Sequence, residues 1–304
     1  MARSRKIEFA YYAPSVAAIR RAAAACRSDA AAAEESEFNN LRILRFAQND
    51  NLSHGPLRIY FGAEFCQWRL PSPKTLSNAL AAADKIGSPF TLLTPWVTDA
   101  GIKKLGKLFS VLRDEAPKSE VVINDMGALV LLCDEFPELS PVLGRVLIRQ
   151  RRCPRVPGII NNLPPEGREI YMRAGAEDPV SAKLLRRYKI RRMELDYPLQ
   201  GLEIDLRETR LKASVYTPYA FVTLTRYCPA SFDGRMWQAF SRSGCRLKGC
   251  NKNILELNGP AHPGRPASDT PLLMRGNAQF VVNPCLPAML PDGIDRITYM
   301  ENVP

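Results

Sequence analysis

The sequence predicts an α/β fold, a TIM-like (β/α) barrel, complete or open, with a cysteine-bearing loop region towards the carboxyl terminus. Short β-rich runs alternate with helix-like segments, which is typical of parallel βα units. No Gly-rich phosphate loop follows any predicted strand, which disfavours a doubly wound sheet. The chain has 304 residues, 46% of them hydrophobic, and this is enough for one large barrel.

The predicted strands are short runs rich in β-branched and aromatic residues. They are Leu57 to Glu64, Phe90 to Val97, Glu120 to Asp125, Arg145 to Gln150, Ile190 to Tyr197, Leu211 to Tyr216 and Phe221 to Tyr227. The predicted helices between them have amphipathic periodicity, and the first two begin with a capping residue, Ser72 or Thr98. They are Ser72 to Ile86, Asp99 to Asp114, Gly127 to Phe136 and Pro179 to Arg187.

The chain divides into four predicted parts. They are residues 1–26, a first βα unit; residues 27–55, an insertion or atypical segment; residues 57–228, the body of the (β/α) barrel; and residues 229–304, a cluster-binding loop with a carboxyl-terminal segment. In the first part, a strand over Ile7 to Ala13 precedes a helix over Val16 to Cys26. The second part has no place in a βα repeat.

The formal net charge of +11 favours an anionic partner, such as a nucleic acid, an acidic metabolite or a lipid surface. A solvated basic surface is the alternative interpretation. No apolar run approaches the ~18 residues that cross a membrane, and the first residues contain no apolar signal core, so we expect a cytoplasmic protein without a membrane span. The chain contains only two histidines, His54 and His262, which disfavours mechanisms that need a histidine base.

Cys228, Cys245 and Cys250 form the most informative pattern, with sixteen residues between the first two and four between the last two. In a reducing compartment, grouped thiols indicate a metal site or reactive thiols rather than disulfides. Cys66 is the best candidate for a fourth ligand, because it directly follows a predicted strand, as Cys228 does. If those strands are parallel neighbours in one barrel, both thiols emerge at the same mouth.

Four thiolates can hold either zinc or an iron–sulfur cluster. Structural zinc sites usually use two pairs of closely spaced cysteines, and here only Cys245 and Cys250 are that close. One distant thiol plus three in a basic loop fits a 4Fe-4S cluster better, since basic side chains from Arg226 to Lys248 would offset its negative charge. Zinc and unrelated cysteines are the alternatives.

Acidic side chains stand near the ends of three predicted strands, at Glu64, Asp125 and Glu194. Side chains at the carboxyl ends of barrel strands face the substrate region, so these three are the predicted catalytic residues. Two of the three have a structural alternative. Asp125 would cap the helix that begins near Gly127, and Glu194 would pair with a neighbouring arginine.

Several segments together resemble the collagenase-like (U-type) peptidase family, and within it the UbiV-like branch of iron–sulfur proteins. They are Tyr60-Phe61-Gly62-Ala63-Glu64-Phe65-Cys66, Asn124-Asp125-Met126-Gly127, Met193-Glu194-Leu195 and Arg226-Tyr227-Cys228, with Cys245 and Cys250 downstream. The resemblance covers roughly Leu57 to Asn283. It implies a barrel protein that binds a 4Fe-4S cluster through one early and three later cysteines, which correspond to Cys66, Cys228, Cys245 and Cys250.

The resemblance also implies an enzyme, or an enzyme subunit with a UbiU-like partner, for oxygen-independent hydroxylation of the ubiquinone ring or of an RNA base. The chain departs from the quinone branch in its longer spacing from Cys228 to Cys250 and in residues 27–55, which have no counterpart. Peptidase activity is an alternative that the family name suggests. It would need a nucleophile with a histidine partner or a His-Glu-x-x-His motif, and we find neither in the sequence. RNA binding or modification is the other alternative, favoured by the net charge.

Overall fold

The structure is a computed structural model that describes residues 7–27, 56–175, 179–225, 228, 245, 250, 254–257, 270–286 and 289–304. Its strands are β1 (Glu8–Ala13), β2 (Arg58–Gly62), β3 (Phe90–Leu93), β4 (Glu120–Ile123), β5 (Ser140–Leu143), β6 (Arg192–Asp196), β7 (Lys212–Thr217), β8 (Tyr219–Leu224), β9 (Ile254–Leu257), β10 (Leu272–Arg275), β11 (Ala278–Val282) and β12 (Ile294–Met300). Its α-helices are α1 (Val16–Arg27), α2 (Pro73–Asp84), α3 (Asp99–Glu115), α4 (Met126–Glu135), α5 (Val156–Ile160), α6 (Pro165–Met172) and α7 (Pro179–Arg187).

Eight parallel strands close into a barrel in the order β1-β12-β7-β6-β5-β4-β3-β2, so the predicted (β/α) barrel is confirmed. The barrel closes where β12 pairs with β1 on one side and with β7 on the other. It therefore extends beyond residues 57–228 at both ends of the chain. Helices α1 to α4 pack side by side on the outside, and Ser72 caps α2 as predicted, since its Oγ accepts a hydrogen bond from Thr75 N at 3.1 Å.

The predicted strand over Arg145 to Gln150 is wrong. The fifth barrel strand is β5, which lies earlier, and Arg145–Leu147 forms a short 3₁₀ helix after it. The sequence did not predict β5 because it contains Pro141, and proline is rare inside a strand that is paired on both sides. The strand predicted over Phe221 to Tyr227 is real in part, as β8, but it does not belong to the barrel.

A four-stranded antiparallel sheet, in the order β8-β11-β10-β9, is inserted between β7 and β12 and lies over the barrel mouth. Phe65, which follows β2, stacks on Phe221 of β8 with ring centroids 4.8 Å apart. It also meets the edge of Phe280 of β11 at 5.2 Å. These aromatic contacts fix the small sheet against the loop that carries Cys66. No helix within the described ranges is long and apolar enough to cross a membrane.

Candidate functional site

Two cysteine sulfurs pack against the tight turn that joins β10 to β11. Gly276 begins this turn with φ +61°, and a Cβ built on it would lie 3.0 Å from Cys250 Sγ and 4.0 Å from Cys228 Sγ. A side chain at this position would require the nearer sulfur to move by a few tenths of an ångström, and the positive φ also favours glycine. The glycine therefore leaves the space that the two thiols occupy.

Asn277, the second residue of the turn, ties it to the segments that lead to Cys66 and Cys228. Its Nδ2 donates to Phe65 O at 2.9 Å and to Thr225 O at 3.0 Å. Thr225 N donates in return to Asn277 O at 2.9 Å. One side chain thus joins the barrel loop after β2 to the end of β8.

Cys66 lies beside this group, because the backbone oxygen of Phe65, the residue before it, accepts a hydrogen bond from Asn277 of the same turn. Burial raises the pKa of the Cys66 thiol, while backbone N–H groups of Trp68 and Arg69 and the charge of Arg69 lower it. Cys228 raises the pKa further. The neighbouring backbone N–H groups and the positive charge of Arg69 thus favour the thiolate form, which burial opposes.

We call the group formed by Cys66, Cys228, Cys250 and Gly276 the cysteine corner. It brings together three of the four predicted ligands, but the elements that do so are not the predicted neighbouring barrel strands. Cys228 follows a strand of the small antiparallel sheet, and the Gly276-Asn277 turn, rather than two neighbouring barrel strands, makes the thiols meet. Cys245 is exposed, and residues 241–244 and 246–249 around it lie outside the described residues, as do the predicted basic residues Arg226 and Lys248.

A zinc ion and a 4Fe-4S cluster place different requirements on the positions of the cysteine sulfurs. Within the described residues, no three Cys, His, Asp or Glu side chains are arranged to hold one metal ion. Zinc–sulfur bonds of ~2.3 Å would require the sulfurs to lie within about 4 Å of one another. A 4Fe-4S cluster distributes its thiolates over four iron atoms, which keeps the sulfurs further apart. The described sulfurs therefore do not form a closed zinc site.

A buried ion network lies beneath the cysteine corner. Arg145, fully buried, donates from Nε and Nη2 to the two oxygens of Glu64 at 2.9 and 2.6 Å, and from Nη1 to Asp196 Oδ1 at 2.8 Å. Asp196 also accepts from Arg152 Nε at 2.7 Å and from Phe221 N at 2.7 Å. The network connects β2, β6 and β8, and it holds the small sheet on the mouth.

The predicted catalytic residues Glu64 and Asp125 have structural partners. Both oxygens of Glu64 are occupied by Arg145. Asp125 caps α4, because its Oδ1 accepts from Ala128 N at 2.9 Å and its Oδ2 from Val97 N at 3.4 Å. Asp125 is thus a helix cap, which is the structural alternative to a catalytic role.

Glu194 differs from the other two carboxylates. Its Oε1 accepts from Tyr60 Oη at 2.9 Å and from Ser214 Oγ at 3.2 Å, whereas its Oε2 is buried with no hydrogen-bond partner among the described residues. Burial raises the pKa of Glu194 to about 7, although the charges of Arg296 and Arg192 oppose this. A carboxyl group with a pKa near neutrality can hold or release a proton at physiological pH.

A second ion network lies at the amino ends of the barrel strands. Arg296 donates to Glu8 at 2.6 Å, to Glu120 at 2.7 and 3.0 Å and to Tyr60 Oη at 2.7 Å. Arg58 donates to Glu8 at 2.7 Å. Burial pushes the pKa of Glu120 upward, but the hydrogen bonds and charge of Arg296, with the charges of Arg58 and Arg192, outweigh it and lower the pKa to about 2.

Sequence reasoning missed Arg145, Arg152 and the Gly276-Asn277 turn. Arg145 stood inside a wrongly predicted strand, which concealed its position at the mouth. The turn did carry a signal, since Gly-Asn between two short β-rich runs is typical of a hairpin. No protein-family model matches the chain, and no curated protein is significantly similar to it.

Proposed function

We propose that this protein is an iron–sulfur protein whose 4Fe-4S cluster is held at the barrel mouth by Cys66, Cys228, Cys245 and Cys250. The convergence of Cys66, Cys228 and Cys250 at the Gly276-Asn277 turn is the observation that carries the proposal, because these residues lie in three separate segments. Cys245 joins the set on its sequence spacing and on the family resemblance.

The residues around the cysteine corner have defined roles in this proposal. A bound cluster would supply one-electron chemistry. Gly276 leaves room for the thiols, and the backbone N–H groups of Trp68 and Arg69 stabilise the Cys66 thiolate. The Arg145–Glu64 pair fixes the segment two residues before Cys66. The contributions of Gly276 and of the Arg145–Glu64 pair can be tested by substitution.

The reaction we propose is oxygen-independent hydroxylation of a quinone ring or of an RNA base, carried out by this chain alone or with a UbiU-like partner subunit. The support is the resemblance of the four quoted segments to the UbiV-like branch. Glu194, with a pKa of about 7, is our candidate for proton transfer. The net charge of +11 favours an RNA substrate, and a salt-dependent affinity for transfer RNA would separate it from a quinone.

The test is anaerobic purification followed by iron and sulfide analysis and a visible absorption spectrum. We expect iron and sulfide in equal amounts. Cys66→Ala, Cys228→Ala, Cys245→Ala and Cys250→Ala should each lose most of the iron, because a cluster held by three thiolates is labile. Cys133→Ala is the matched control. Cys133 lies on α4, where its thiol donates to Tyr188 O at 3.7 Å, so this variant should keep its full iron content. Zinc without iron, or unchanged iron in Cys66→Ala, would refute the proposal.

A further inference from the structure

We propose that the barrel core binds an ordered water molecule at Glu194 Oε2, in a site that the hydroxyl groups of Tyr216 and Thr298 complete. The site lies inside the barrel, on the neighbouring strands β6, β7 and β12. Its occupation by water does not require the cluster. Only the use of this water in proton transfer rests on the function proposed above.

The first argument is that three buried oxygen atoms here have no protein partner. Glu194 and Thr298 are 0% exposed, and Tyr216 is 1% exposed. Glu194 Oε2, Tyr216 Oη and Thr298 Oγ1 form no hydrogen bond to any described residue. A buried oxygen without a hydrogen bond destabilises the folded protein, and an ordered water is the usual partner where protein atoms supply none.

The second argument is that Tyr60 brings the three residues together. Its hydroxyl donates to Glu194 Oε1 at 2.9 Å, and its ring meets that of Tyr216 edge-on, with the ring centroids 6.1 Å apart. Thr298 is the residue opposite Tyr216 in the pairing of β12 with β7. It faces the barrel interior, because Arg296, two residues earlier on the same strand, donates to Tyr60 Oη at 2.7 Å. The three oxygen atoms therefore belong to one small region of the core.

The third argument concerns the two oxygens of Glu194. Oε1 accepts hydrogen bonds from Tyr60 Oη at 2.9 Å and from Ser214 Oγ at 3.2 Å, which leaves Oε2 as the place for the acid proton. Because the pKa of Glu194 is about 7, this proton is present in part of the molecules at neutral pH. A water molecule can accept it while donating to the two hydroxyl oxygens. This gives the three hydrogen bonds that a buried water typically forms.

The water would extend the hydrogen bonding of Glu194 towards the barrel mouth. Glu194 is fully buried, so its proton can leave only through neighbouring groups. Tyr216 lies two residues closer to the carboxyl end of β7 than Ser214 does. The ring of Tyr216 packs 3.7 Å from Arg145 Cζ, in the ion network at the mouth. Tyr216 and Thr298 are therefore positioning residues, which hold the water between Glu194 and the mouth.

The experiment is high-resolution crystallography of the anaerobically purified full chain, combined with infrared spectroscopy at a pH below the pKa of Glu194. We expect a water peak about 2.5–3.0 Å from Glu194 Oε2 and from at least one of the two hydroxyl oxygens. The carbonyl stretch of protonated Glu194, identified by its loss in Glu194→Gln, should shift in Thr298→Val and in Tyr216→Phe, because each removes a partner of the water. Thr94→Val is the matched control. Its buried hydroxyl donates to Val122 O at 2.7 Å, so this variant should keep both the peak and the band.

Each other outcome has a definite consequence. No peak at Glu194 Oε2, a direct hydrogen bond from this atom to Tyr216 or Thr298, or an equal shift in Thr94→Val would overturn the proposal. The parent structure is decisive by itself, so the test does not depend on the folding of a variant. The water in a protein without iron would leave this site standing and refute the cluster, whereas full iron content without the water would do the reverse.

Discussion

The two ends of the barrel interior carry similar charged residues but pair them differently. At the amino ends of the strands, Glu8 and Glu120 are bonded to Arg58 and Arg296. At the mouth, the Arg145 network is equally well paired, yet the buried hydroxyl groups of Tyr216, whose ring packs on Arg145, and of Thr217 have no hydrogen-bond partner among the described residues. Breaking a buried ion pair is costly, so both networks hold the fold together, whereas a buried polar group without a protein partner calls for an ordered water or a ligand.

The largest expected effect is that of Arg145→Met. The substitution leaves Glu64 and Asp196 buried without their common cation, and breaking such a pair typically costs about 3–5 kcal/mol. Urea denaturation should measure this loss in the free energy of unfolding. Arg113→Met removes an exposed arginine and should change stability by less than about 1 kcal/mol. Equal losses in the two variants would show that the mouth network does not hold the fold.

Glu194 should make the free energy of unfolding depend on pH. Its folded pKa of about 7 lies above the unfolded value of about 4.3, so the folded state binds this proton more tightly. The contribution to stability is fully present below about pH 4 and is lost as the pH rises through 7, an effect on the order of 3 kcal/mol. Urea denaturation of the parent and of Glu194→Gln across this range should show a difference that falls with rising pH. A difference independent of pH would contradict the buried, protonated carboxyl.

Glu120, at the amino end of the barrel, should behave in the opposite way. Its folded pKa of about 2 lies below the unfolded value of about 4.3, so its ion pairs stabilise the protein above about pH 4. This contribution is lost as the pH falls from about 4 towards 2. The free energy of unfolding of the parent relative to Glu120→Gln should therefore decrease on acidification. If the two curves stay parallel between pH 6 and 3, Arg296 does not hold the Glu120 charge in the folded state.

Gly276→Ala should have the smallest effect on stability, and it should lower the iron content of the protein. Gly276 and Gly87 both have positive φ, +61° and +62°, so alanine should cost about 1 kcal/mol at either position. Only at Gly276 would the new Cβ meet a cysteine sulfur, whereas a Cβ at Gly87 would point into open space. Iron content after anaerobic purification should fall in Gly276→Ala and stay at the parent level in Gly87→Ala. Equal iron in both variants would remove the turn from the proposed site.

Local patterns in the sequence predicted much of the fold, because alternating strands and capped helices such as α2 are encoded by neighbouring residues. The elements that failed depend on distant partners. Pro141 disguised β5, and β12 is recognisable as a barrel strand only through its pairing with β1. For the same reason, Arg145 and the Gly276-Asn277 turn could not be linked to Cys66 from the sequence, since their contacts join segments far apart in the chain.

The central claim is that the cysteine corner holds an iron–sulfur cluster. Anomalous X-ray scattering at the iron edge, measured on crystals grown anaerobically, tests it most directly. We predict one compact iron peak bonded to the sulfurs of Cys66, Cys228 and Cys250 beside Gly276, with Cys245 as the fourth ligand. No iron peak at the corner, a peak elsewhere in the molecule, or a signal only at the zinc edge would contradict the claim.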